Sequence, residues 1–235
     1  HLSRLKLPQQ MKLANTAPNT DFYTAGGLHV YFKDDFFNED IDVEEVVGKV
    51  ESVLAPHLLD EVDMIIFGHF DEFEERAISA FYDNGALYVS NVQHDFDGLY
   101  EDLIHEVSHS LEPAHGSEIY GDQKVKEEFL RKRKYMHDIL WKSGFKAPES
   151  FFTNIDYDKE FDMFLYEDVG YNTLSDLLVG IFINPYAATS LREYFATGFT
   201  EFFTHPNDHN YLKKISPKLF KKIELIYDEE KLDTN

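Results

Sequence analysis

The stretch Asp102-Leu103-Ile104-His105-Glu106-Val107-Ser108-His109-Ser110 limits what this chain can fold into more than any other. Its His-Glu-x-x-His spacing puts two imidazoles on one face of a helix, where both can reach a single metal ion. Glu106 lies about 100° further round, close enough to handle a proton on a metal-bound water. Leu99, Leu103, Ile104, Val107 and Leu111 form the opposite, apolar stripe that a buried helix needs. Asp95 or Asp97, with Gly98, supplies the helix start. Only three positions of the motif are fixed, so it also recurs by chance. The helical register and the stripe favour a zinc site.

The chain has no cysteine. Disulfides and thiolate-ligated zinc are excluded, and any metal must be held by His, Asp and Glu. Formal net charge is -22. Such a field repels phosphate backbones, so nucleic acid is not an expected partner, whereas cationic substrates would be attracted. A well-solvated surface accounts for much of this charge. The longest apolar run, residues 177–183, is far below the ~18–20 residues of a membrane span, so no membrane partner is expected either. Hydrophobic residues make up 43% and aromatic ones 15%, enough for a sizeable core. The chain opens at His1 and shows no signal-peptide pattern, which leaves a soluble protein of unassigned compartment as the expectation.

Taken in order, residues 1–20 are polar and irregular and read as an arm or linker. Residues 28–32 and 62–67 read as strands, the second apolar enough to be central. Residues 41–59 carry valines at helical spacing. Residues 77–82 and 86–90 flank Asp83-Asn84-Gly85, a strong hairpin signal because Asn-Gly accepts positive φ. The second arm would be either an edge strand able to align an extended peptide or an ordinary sheet strand. Glu112-Pro113 must stop or bend the zinc helix. Residues 125–141 read as a long, locally basic helix, better explained by a solvated or internally paired face than by nucleic-acid binding. Residues 151–183 are mostly helical and aromatic. Further helices are expected over 190–204 and 219–232.

A catalytic zinc needs three protein ligands and an open position. His115 lies six positions beyond His109, the spacing of a metzincin-like site. That pattern needs Gly where Glu112 stands, followed here by Pro113, and a non-Gly residue at positive φ costs on the order of 1 kcal/mol or more. The rivals are Glu193 and Glu201 on the 190–204 helix, each of which would otherwise be a solvated acid. Tyr186 precedes Glu193 by seven residues.

His105-Glu106-x-x-His109, Asn184-Pro-Tyr186 and Arg192-Glu193-Tyr-Phe-Ala196 together resemble the anthrax lethal factor and Pro-Pro endopeptidase group of gluzincin metallopeptidases. The resemblance covers roughly residues 77–112 and 183–204. It implies that Glu193 is the third zinc ligand and that Tyr186 points its hydroxyl into the site. The sequence departs from the group in two places. Thr197 stands where the group has a second Glu, so support for a ligand histidine must come from elsewhere. Glu193 also lies 84 positions after His109, which makes residues 117–182 an enlarged helical insertion.

The expected fold is α+β and zincin-like: a small twisted mixed sheet and the zinc helix, then a mostly helical C-terminal half. Residues 21–235 form one metallopeptidase domain, with sheet and zinc helix over 21–116 and the third-ligand and last helices over 183–235. The expected function is zinc-dependent hydrolysis of peptide bonds in a peptide or protein substrate. Zn2+ is held by His105, His109 and Glu193, Glu106 is the general base, and zinc with Tyr186 stabilises the oxyanion. The alternatives are a non-catalytic structural or binding protein with the same fold, and the His115 site. The intact Glu106 argues against the first, since a structural metal has no need of a base.

Overall fold

The computed structural model describes residues 20–229, so the arm expected over 1–20 lies outside them except for its last residue. The chain divides into two compact units, His1–Ala114 and His115–Asn235.

The first unit is built on a mixed five-stranded sheet. Its strands are β1 (Phe22–Tyr23), β2 (His29–Phe32), β3 (Met64–Gly68), β4 (Ala80–Asp83) and β5 (Ala86–Ser90), in the order β1-β2-β3-β5-β4. β2–β3 and β3–β5 are parallel, and the outer pairs β1–β2 and β4–β5 are antiparallel. Val30, Ile65, Phe67, Leu87 and Val89 are its buried residues at the centre, and Phe67 stacks on Phe32 at 5.4 Å.

Parallel neighbours need a crossover. Between β2 and β3 it is α1 (Val43–Val53), whose Val43, Val46, Val47 and Val50 are buried. The Asp42 carboxylate caps it by accepting from the Glu45 N–H at 3.2 Å. Helical spacing runs on to residue 59, but Pro56 cannot continue a helix and starts a separate 3₁₀ turn, Pro56–Leu59. A short helix, α2 (Asp71–Glu75), follows β3.

The hairpin forms at Asp83-Asn84-Gly85, with Asn84 at φ 43° and Gly85 at φ 85°, both in the left-handed region that a tight hairpin turn requires. The strand expected from residue 77 begins only at Ala80, because Ala77 is itself left-handed, at φ 52°. The peptide-aligning role expected of residues 86–90 is overturned. β5 is hydrogen-bonded on both sides, to β3 and to β4, so its backbone has no open edge. The open edge on that side belongs to β4.

α3 (Phe96–Tyr120) carries the motif. The Asp95 carboxylate accepts from the Gly98 N–H at 2.6 Å and sets its start. Leu99, Leu103, Ile104, Val107 and Leu111 are all buried, as the stripe requires. Each such side chain contributes about 1.5–3 kcal/mol relative to an exposed one. Pro113 lies inside α3 and offers no N–H to the His109 carbonyl, and the helix bends at His115 (φ -119°, ψ 15°).

The second unit is helical. α4 (Lys124–Lys142) is followed by α5 (Glu149–Thr153), α6 (Lys159–Met163), a π-helical turn (Phe164–Val169) and α7 (Tyr171–Leu177). A 3₁₀ turn, Pro185–Ala188, leads into α8 (Leu191–Thr204), then α9 (Asn210–Ile215) and α10 (Pro217–Tyr227). The molecule is thus α+β, with a small mixed sheet and a helical C-terminal half.

Two of the basic residues on α4 point inward. Lys132 donates to the Ser216 hydroxyl at 2.7 Å, and burial pulls its pKa down to about 8. Tyr194 donates to Glu128 at 2.7 Å, and the Glu128 carboxylate also accepts from the Lys218 N–H at 2.8 Å, at the start of α10. That placement satisfies an orphan donor and faces the positive end of the helix dipole. Among the described residues no helix is long and apolar enough to cross a membrane.

α8 and α10 approach closely at Gly198, where a Cβ would collide with the buried Leu219 and press on Ile223. Helix propensity alone favours Gly198→Ala by about 1 kcal/mol. Overpacking costs about 1–3 kcal/mol, so Gly198→Ala should lower the Tm and Gly198→Val should lower it further. A rise in Tm by calorimetry would show that the two helices are free to separate.

Candidate metal centre

α3 brings the motif into the fold with its two histidines stacked one turn apart. The imidazole centroids of His105 and His109 are 5.0 Å apart and cross at 78°. His109 and Glu106 are buried, and His105 is half-buried. A histidine offers a metal one ring nitrogen, and the partner of the other nitrogen decides which. For His109 that partner is Glu112, whose Oε1 lies 3.2 Å from Nδ1. The carboxylate holds the Nδ1–H tautomer, which leaves Nε2 as the donor to a cation. The acid beside the His109 ring thus comes from α3 itself. Thr197 is buried on α8.

Glu112 escaped the reading of the sequence, which weighed that position only as a place where a glycine was needed. Its i, i+3 relation to His109 was visible and is the signal that finds it.

Asp102, one turn before His105, is pushed up to about 6 by burial, with His105 working against the shift.

Glu193 sits in the first turn of α8. Ser190 caps that helix, its hydroxyl accepting from the Glu193 N–H at 3.1 Å. Tyr194, Phe195, Phe199 and Phe202 are buried, and Glu193 is half-buried. Tyr186 lies in the 3₁₀ turn before α8. Asn184 caps that turn by accepting from the Ala187 N–H at 3.0 Å, and the Thr189 hydroxyl closes it by donating to the Tyr186 carbonyl at 2.8 Å.

One ligand atom from each of His105, His109 and Glu193 lies within 4.8 Å of the other two. Donors around a tetrahedral zinc, at ~2.0–2.1 Å from the ion, stand ~3.3–3.4 Å apart. The three are a group that could hold one metal ion. His115 is not in the group. The tight return that its spacing would need is not made, because α3 runs on past His109 to its bend.

Comparison with protein-family models, with curated proteins and with solved structures finds no match to this chain.

His105→Ala or His109→Ala should abolish stoichiometric metal binding, while His115→Ala should leave it intact. Glu112→Gln should weaken zinc binding about 10–100-fold, the usual loss when the partner of a ligand histidine is removed. Competition with a chromophoric chelator measures all four, and an unchanged affinity in Glu112→Gln would remove its assigned role.

Proposed function

We propose that the protein is a zinc-dependent peptidase that hydrolyses peptide bonds, with the ion held by His105, His109 and Glu193. The observation that carries this reading is the convergence of a two-histidine, one-carboxylate donor set beside Glu106, an acid that a purely structural site would not need. A three-ligand set of this kind leaves a position open for substrate or water.

A bound zinc ion would supply Lewis acidity, lowering the pKa of water and polarising a peptide carbonyl. The remaining steps belong to the chain. Glu106 follows His105 directly on α3 and is buried. Its carboxylate accepts the proton of the attacking water and returns it to the leaving amine. Tyr186 brings a phenol from within a turn fixed by Asn184 and Thr189. Its O–H donates to the developing oxyanion. Glu112 keeps the His109 ring from rotating while charge builds up.

The reading is tested with the zinc-loaded protein and a peptide library. Glu106→Gln should keep zinc and fold and lose turnover by orders of magnitude, since an amide of the same shape is no base. Tyr186→Phe should keep zinc and lower kcat about 10–1000-fold, the range for one oxyanion donor. A zinc-loaded wild-type protein that cleaves nothing in the library, with or without chelator, would favour the non-catalytic binding protein instead.

A further inference from the structure

Arg133 is the largest fully buried side chain in the second unit, and its acceptors are backbone carbonyls. Its Nε donates to the Ala188 carbonyl at 2.5 Å and Nη2 to the Thr189 carbonyl at 3.0 Å. Nη1 donates to the Phe151 and Asn154 carbonyls at 2.9 and 3.2 Å. The guanidinium lies over two rings, 4.7 Å from the Phe129 centroid and 4.5 Å from that of Phe161. Four of its five N–H donors are used, in a fork whose directions are fixed by the planar group. Burial works against its charge. So buried a cation needs a specific set of acceptors to stay in place.

Two of those acceptors have a particular position in the chain. Ala188 and Thr189 lie two and three residues after Tyr186, and five and four before Glu193. The next residue, Ser190, is the cap that accepts from the Glu193 N–H. The Leu191 N–H is clipped in turn to the Ile155 carbonyl at 2.8 Å, beside Asn154, which Arg133 also holds. One rigid group on α4 therefore grips the junction from which Tyr186 leaves in one direction and Glu193 in the other.

We propose that Arg133 is a positioning residue that sets Tyr186 and Glu193 relative to each other. The inference rests on the peptidase reading above for its consequences, but not for the grip itself. A loss of the grip lets the junction shift, and misplacement of reacting groups by about 1 Å costs about 100-fold in rate. Substrate affinity would change little.

The test uses the full chain with Arg133→Met, which keeps the apolar stem and removes the donors, and Arg133→Lys, which keeps the charge but cannot span four carbonyls. The control is Leu140 on the same helix, cut to Val or Ala, whichever matches the Tm loss. Three quantities are read: amide exchange at Ala187, Thr189 and Glu193 in the metal-free protein, zinc affinity by chelator competition, and kcat with KM. At matched Tm, Arg133→Met should exchange those three amides at least about tenfold faster than the control, since the junction opens locally without global unfolding. Zinc binding should weaken about 10–100-fold, and kcat should fall about 100-fold at nearly constant KM. Arg133→Lys should fall between Arg133→Met and wild type on each scale. Exchange rates and zinc affinity equal to those of the control would show that Arg133 only fills the core, and would overturn the proposal. A wild-type protein without zinc affinity would remove the metal reading, and the exchange rates would still decide for or against the grip. If Arg133→Met does not fold, Arg133→Lys against the control decides by the same criteria.

Discussion

An imidazole binds a cation through one nitrogen, and here the other nitrogen of His109 is held by Glu112 from the same helix. Much follows from that contact. It fixes a tautomer and a ring direction at a buried position, where an unpaired N–H would be costly. It also requires that α3 stay helical through residue 112, so that an i, i+3 pair can meet. Pro113, immediately after, takes the hydrogen-bond partner from the His109 carbonyl, yet α3 keeps helical backbone through that turn. The bend comes two residues later.

The two units solve the problem of buried polarity differently. On α3 the polar groups are side chains that face one another, His109 to Glu112. In the helical unit they are charged groups turned towards backbone: the Arg133 guanidinium on four carbonyls, and the Glu128 carboxylate on amides at the start of α10. The second arrangement ties together segments that are 18 to 91 residues apart in sequence. Aromatic rings fill the space between these ties, as with Phe129 against Tyr194 at 5.3 Å.

What was legible in the sequence was local. The period of Leu99, Leu103, Val107 and Leu111 gave α3, with Asp95 as its start. Asn84-Gly85 gave the hairpin, and Ser190 gave the start of α8. The place of β5 inside the sheet was not legible, because a parallel pairing with β3 leaves no mark on either strand's own pattern. Arg133 was hidden in a run of basic residues that reads as a solvated or internally paired face. The signal was nevertheless present: Val125, Phe129, Lys132, Arg133, Met136 and Leu140 recur at helical spacing, which puts both cations on the apolar side. α9 and the π-helical turn follow from packing among short helices, and no capping residue or period marked them.

The sheet also ends early on both sides. β1 has two residues and β4 four, and β4 runs straight into its turn. A second chain arriving at either margin would find a template of only a few hydrogen bonds before the backbone curls away. A bilateral limit of that kind keeps a half-open α+β sheet from growing into a polymer of itself. The surplus of 22 negative charges adds mutual repulsion between approaching copies. Of the parallel centre, β3 and β5 are paired on both sides, and β1 covers the first two residues of β2.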